Sequence, residues 1–261
     1  MESIYDPISF GGVNLKTVEG LTVTGSSTYR FASRKLQNYG IAYQNRSTTT
    51  SAFKSGKTIN ISCVIARSSR SGFDNSLDQL AYLTDPKNQT LLIPVRGSYY
   101  EYHEVTLSNM AVSNVKGGYG EIDLEFIAAD PHSYDTITTE VLNMLNVTSG
   151  DKSYPVYFEG TANQQPVFTL TLDSVVGGTG GSITISNPTT GQSITIQRVW
   201  SASDVLVIDC ESHSVTVNDD EVDSTGMFPE WGKGDGFINY TDTFTERQVD
   251  INGIYTKRYL T

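Results

Sequence analysis

One stretch restricts the fold more than any other: Gly120 to Tyr134, GEIDLEFIAADPHSY. Ile122, Leu124, Phe126 and Ala128 alternate with Glu121, Asp123, Glu125 and Ile127, the period of a half-buried strand. The strand must stop at Asp130-Pro131. Proline has no N–H to give to a ladder, and it drives the residue before it into an extended conformation. The stop divides the chain into an N-terminal β-rich part with one helix and a C-terminal part that reads as all β. The expected class is mainly β: an N-terminal β-sandwich-like domain with one α-helix over residues 1–135, a connector over 136–155, and a β-sandwich or jelly roll over 156–261.

Charge separates the same two parts. The net charge is −11. Residues 1–135 hold 12 Lys and Arg against 13 Asp and Glu, and residues 136–261 hold 6 against 16. Binding nucleic acid or an anionic membrane requires clustered cations, which the second half lacks. The two cysteines, Cys63 and Cys210, fall one in each part within apolar strand patterns, as buried thiols do; they do not suggest a disulfide framework. No run of about 18 apolar residues predicts a membrane span. The N-terminal MESIYDPISF lacks the basic and apolar regions of a signal peptide, so synthesis in a reducing cytoplasm is expected.

Along the first part, Thr58–Ala66 alternates as a strand, and Gly72–Asp85 carries the helical stripe Phe73, Leu77, Leu80 and Ala81. Ser71 or Asp74 is expected to cap it, with Pro86 beyond its end. Leu91–Val95 and the Tyr-rich Tyr99–Leu107 read as strands. Residues 26–56 are polar, yet interleave aromatic and basic side chains, among them Tyr29, Arg30, Tyr39, Tyr43 and Arg46. Long loops in compact domains usually have a use. A hairpin or arm that packs on a neighbouring subunit is expected, with these five residues as interface candidates; alternatively, the tyrosines fill the domain's own core. In the second part, strands are expected at Val167–Leu172, Ser182–Ser186, Gln192–Gln197, Val205–Cys210, Ser214–Val217, Phe237–Tyr240 and Val249–Tyr255.

Catalytic and metal motifs are missing. His103-Glu104 begins like a zinc-protease helix, but the residue four after His103 is Leu107 and the local pattern is a strand. There is no G-x-S-x-G elbow and no phosphate loop. The run Asp219, Asp220, Glu221, Asp223 lacks the glycine and distal glutamate of a calcium loop and reads as a solvated turn. No catalytic residue, metal or cofactor is expected. Trp200 and Trp231 are the weak carbohydrate candidates; core anchors are the simpler reading. Strong binding to simple galactosides or host wall glycans is not expected.

Three segments together resemble the distal tail protein family of siphophages: the helix-bearing half ending in IDLEFIAADPHSY; the run ITISNPTTGQSITIQ with VLVIDCESHSVTVNDDEV; and the end, with Pro229, Gly234–Gly236, Phe237–Tyr240 and Arg258-Tyr259. The resemblance implies a structural virion protein, not an enzyme. It implies a ring, commonly of six subunits, that connects the tail tube to the tail-tip or baseplate hub. N-terminal domains would build the ring, and a galectin-like C-terminal sandwich would project outward. Implied partners are further copies of the chain, the tail tube protein, the hub protein and, in some phages, a receptor-binding protein, with no membrane. DNA would pass through the lumen without specific binding. The protein would reside at the virion tail tip, and in the host cytoplasm before assembly. The other reading is a carbohydrate-binding module of a phage tail that attaches to the host surface.

Overall fold

The computed structural model describes residues 8–27, 34–40, 47–54, 56–95 and 98–260. The chain divides into two compact units, Met1–Thr136 with Leu260–Thr261, and Ile137–Tyr259. It is mainly β, with one α-helix among the described residues.

In the first unit the strands are β1 (Ser9–Phe10), β2 (Val13–Asn14), β3 (Leu21–Ser27), β4 (Arg34–Gly40), β5 (Ser47–Lys54) and β6 (Lys57–Ala66). Helix α1 (Arg70–Thr84) follows, then β7 (Gln89–Val95), β8 (Ser98–Lys116), β9 (Tyr119–Ala128) and the start of β10 (His132–Val147). Antiparallel pairing gives the order β3-β6-β9-β8 on one side and β8-β7-β1-β2 on the other. Strand β8 serves both. It pairs β7 up to Val105 and β9 from Val105 onward. The change of partner falls beside Glu104, whose φ of 53° is a left-handed kink within the strand. Alternation puts Ile59, Ile61, Cys63 and Ile65 of β6, and Ile122, Leu124, Phe126 and Ala128 of β9, into one core.

Helix α1 covers that core. Phe73 and Leu80 are fully buried and Leu77 packs against the cluster. The buried face continues through Ser76 and Thr84, not through Ala81, which is exposed. The helix also starts two residues before the expected position. Its cap is Ser69, whose hydroxyl accepts a hydrogen bond from the Gly72 amide at 3.1 Å, in place of Ser71 or Asp74. Such a cap contributes about 1 kcal/mol. Helix and sheet approach so closely at Gly120 that a Cβ there would sit 2.6 Å from the Phe73 ring.

The second unit contains the rest of β10, then β11 (Asp151–Phe158), β12 (Val167–Val176), β13 (Gly181–Asn187), β14 (Gln192–Arg198), β15 (Val205–Asp209) and β16 (Ser214–Val217). The short β17 (Asp220–Glu221) and β18 (Thr225–Gly226) precede β19 (Gly234–Asp242) and β20 (Glu246–Leu260). One sheet has the order β17-β16-β15-β12-β20-β10, and the other β11-β19-β13-β14-β18. Their inward positions form a single cluster that includes Phe158, Phe168, Ile185, Ile196, Ile208, Trp231, Tyr240 and Ile251.

The segment 136–155, expected as a connector with a brief helix or strand, is strand on both sides of a short turn at 148–150. β10 runs through to Val147, burying Leu142 and Val147, and β11 pairs with β19 over eight rungs from Asp151↔Thr241 to Phe158↔Gly234. Pro155 lies within β11, which is an edge strand bonded only to β19 among the described residues. A proline is tolerated on an edge because no second ladder needs its N–H. The acidic run is a tight hairpin: Asn218 and Asp219 take positive φ of 53° and 68° and join β16 to β17.

Candidate functional site

The first unit presents a four-stranded sheet, β3-β6-β9-β8, whose inner face is core. The period of two that buries Ile122, Leu124 and Phe126 places Glu121, Asp123 and Glu125 in a row on the opposite face. Each carboxylate is held by a neutral donor. Asn114 Nδ2 donates to Glu121 at 2.5 Å, Ser62 Oγ to Asp123 at 2.7 Å, and Ser108 Oγ to Glu125 at 2.9 Å. Among the described residues no ion pair engages these three. The row is therefore a stripe of carboxylates fixed by neutral donors.

The same sheet ends in two unlike edges. β3 is bonded only to β6, and β8 beyond Leu107 only to β9, among the described residues. An unpaired edge is a template for another strand. The β8 edge carries Val112, Val115 and, across the turn, Tyr119, at 39%, 37% and 40% exposure, with Lys116 the single charge from Thr106 to Lys116. Lys116 and the register shift between Ser113 and Lys116 blunt its end, while the stretch from Asn109 to Ser113 has neither a charge nor a proline.

Between β3 and β6 the chain makes the β4–β5 hairpin, with pairing from Arg34↔Lys54 to Gly40↔Ser47. The two strands pair only with each other among the described residues. An isolated two-stranded hairpin is marginal in water by itself. This agrees with a hairpin in the 26–56 region. Of the interface candidates, Tyr39 lies in β4, while Tyr29, Arg30, Tyr43 and Arg46 lie outside the described residues.

The Asp130-Pro131 stop is a carboxylate clasp. Asp130 Oδ1 accepts from the His132 amide at 2.9 Å and lies 2.6 Å from His132 Nδ1; Tyr134 Oη donates to Oδ2 at 2.5 Å. Burial alone would raise the carboxyl's pKa, but the hydrogen bonds from His132 and Tyr134 outweigh it and hold Asp130 well below the usual carboxylate range. The ring of Tyr134 meets His103 edge-on at 4.6 Å. His103 stands in a strand, as its local pattern predicts.

Lys57, at the start of β6, is buried to 1% exposure, with its Nζ 3.3 Å from Tyr102 Oη and 4.7 Å from the centre of that ring. Burial lowers its pKa to about 8. A lysine whose folded pKa lies below its unfolded value of 10.5 penalises the fold at low pH and releases that penalty as pH rises from 8 to 10.5. Cys63 has the opposite effect: burial, then the charge of Asp123, pushes its thiol up to about 12, so its contribution falls as pH rises above 9. Comparison with Lys57→Met separates the two. The unfolding free energy of the wild type is expected to gain on that of the variant between pH 8 and 10, read by chemical denaturation. Parallel curves would contradict the burial penalty.

The two carbohydrate candidates are corrected by burial. Trp200 is 4% exposed and its indole donates to the Gly181 carbonyl at 3.0 Å; Trp231 is 2% exposed and donates to Phe237 O at 2.9 Å. Trp231 stacks on Phe158 and lies edge-on to Phe168. A sugar ring cannot reach either face. The residues around Trp231 form a polar knot. Gln164 exchanges backbone bonds with it, Gln164 Oε1 accepts from the Arg258 amide at 2.9 Å, and Gln165 Nε2 donates to Glu230 at 2.7 Å. Pro229 and Arg258 thus belong to the framework of the second unit. Cys63 and Cys210 are free and buried.

Residues 159–259 match the family model described as siphovirus-type tail component, C-terminal domain. Among solved structures, the SPP1 Dit (gp 19.1) protein, described as a paradigm of the hub adsorption apparatus in phages that infect Gram-positive hosts, superposes with a TM-score of 0.70 at 13% identity, covering 97% of this chain and 99% of that one. The phage P2 baseplate structure gives a TM-score of 0.40 at 8% identity over 91% of each chain. No curated protein matches in sequence.

Proposed function

We propose, from the premise that this chain belongs to the siphovirus-type tail components through its residues 159–259, that it is a structural protein which closes into a ring joining the tail tube to the tail-tip hub. The observation that carries this reading is the sheet with two unlike open edges. A closed ring of identical subunits needs a heterologous interface, in which one surface meets a different surface of the next copy. The β3 edge of one copy and the β8 edge of the next are such a pair, and strand addition across them would bury both templates. Closure would turn one face of each sheet toward a channel. With the carboxylate stripe on that face, Glu121, Asp123 and Glu125 from every copy would line it, and a negative wall repels the phosphates of passing DNA. The β4–β5 hairpin, with Tyr39, is an arm for a neighbouring copy. No enzymatic step is assigned. A ring of six, a tube contact and a hub contact complete the reading, as does a cytoplasmic pool of subunits before assembly.

Cysteine pairing tests the edges. Thr24 on β3 and Ala111 on β8 are exposed. Within one copy they lie on strands separated by β6 and β9, roughly 14 Å apart across three strand spacings, beyond disulfide reach. With Thr24→Cys and Ala111→Cys together, and neighbouring pairs such as Thr22 with Ser113, mild oxidation should give a ladder of covalent oligomers that ends at the ring size. Native Cys63 and Cys210, being buried, should not contribute. Monomers alone from every pair would count against edge-to-edge closure.

A further inference from the structure

The aromatics that the second unit does expose are not its tryptophans. On the outer face of the sheet β11-β19-β13-β14-β18, Tyr157 is 55% and Phe237 47% exposed. Tyr157 is opposite Asp235, and Phe237 opposite Pro155, so the two residues are diagonal neighbours on adjacent strands, about 7 Å apart at the backbone. The same face continues along the strands as neutral polar side chains. Asn239 is opposite Ser186, and Thr184 opposite Thr195, where the two hydroxyls are 2.8 Å apart. Ile183, Ile185, Ile238 and Tyr240 alternate with them into the core, so the hydroxyls are fixed on rigid strands, while Asn239 Oδ1 is itself buried.

We infer that this face binds an uncharged saccharide chain. An orienting site for sugar needs an aromatic platform beside convergent polar groups, and here both lie on one rigid sheet. Charge selects the occupant. Residues 136–261 carry 16 carboxylates against 6 cations, yet between the marginal Asp151 and Asp235 the face has none of either sign. A polyanion such as a phosphate-rich wall polymer would meet the acidic surround and no cation. A basic peptide would find its partners elsewhere on the unit. A neutral polyhydroxyl chain matches the row of hydroxyls and can stack on the two rings. The inference rests on the second unit alone, so its failure leaves the ring reading, which rests on the first, untouched.

Affinity electrophoresis tests it with the full chain in native gels cast with dextran, β-1,3-glucan, galactomannan or a rhamnose-containing wall polysaccharide, and with lipoteichoic acid as the charged comparison. At least one neutral polymer should retard the protein, and lipoteichoic acid should not. Joint replacement Tyr157→Ala and Phe237→Ala should raise the polymer concentration needed at least tenfold. Thr184→Arg, which places a bulky charge in the middle of the hydroxyl rows, should do the same. Unchanged fluorescence of the buried Trp200 and Trp231 reports that the variants fold. Absence of retardation in every neutral gel, retardation equal in wild type and variants, or retardation by lipoteichoic acid alone would overturn the inference. So would a change in oligomeric mass in the double variant, which would make the face a protein contact.

Discussion

Replacing Asp242 by alanine is expected to destabilise the second unit by about 3–5 kcal/mol, the penalty for breaking a buried ion pair from one side. The Asp242 side chain is fully buried and Arg247 is 12% exposed. One carboxylate accepts from Tyr240 Oη at 2.6 Å, from the Phe244 amide at 2.8 Å, and from Arg247 Nε and Nη2 at 3.1 and 2.9 Å. The Asp242 amide donates to Gly150 O at 2.9 Å. This group therefore joins the end of β19, the start of β20 and the turn before β11. The approach is so close that a Cβ on Gly150 would lie 2.9 Å from the Arg247 guanidinium. Burial first, then the Asp242 carboxylate, pushes the Tyr240 hydroxyl well above the ordinary tyrosine range, so it remains a donor. Loss of the carboxylate leaves a buried guanidinium without its counter-charge. Asp242→Asn retains some of the hydrogen bonds but not the charge and should fall between. Denaturant titration gives the number; a loss under 1 kcal/mol for Asp242→Ala would mean that the knot is plastic.

The second large effect concerns assembly. Val112 and Val115 are on the open stretch of β8 and are more than one-third exposed, so charge there should leave the fold intact while blunting the edge, as natural edge strands are blunted. Val112→Asp with Val115→Asp is expected to lower the tendency to form rings by at least a hundredfold in protein concentration, with an unchanged denaturation midpoint. Assembly equal to the wild type would remove β8 from the interface.

Much of the fold could be read where burial is one-sided. The β9 pattern with its Asp-Pro stop, the β6 alternation and the helix over Phe73 and Leu80 are strong because one face meets core and the other water. The ends were harder. The α1 cap moved to Ser69 because Ser69, Ser71 and Asp74 all suit a cap, and only the path of the preceding chain selects among them. β10 and β11 were hidden by mixed polarity and by Pro155, whose tolerance depends on an edge position that sequence does not show. Trp200 and Trp231 are the core anchors that the simpler reading of the sequence makes them, whereas no sequence signal marks Tyr157 and Phe237 as exposed. Phe237-Ile238-Asn239-Tyr240-Thr241 alternates plainly, but period alone does not say which set faces outward when both contain an aromatic. The Asp242 knot joins residues from three separate stretches, and no local pattern marks it. The open edges of β3 and β8 follow from strand order, which single-strand periodicity does not contain.

The most direct test of the ring is the mass of the full chain in solution over a wide range of concentrations, by light scattering, with electron microscopy of the same samples, alone and with tail tube protein added. The expected result is a closed species of six copies with a central channel, favoured by concentration or by the tube protein. A monomer under every condition, including with tube protein present, would contradict the account.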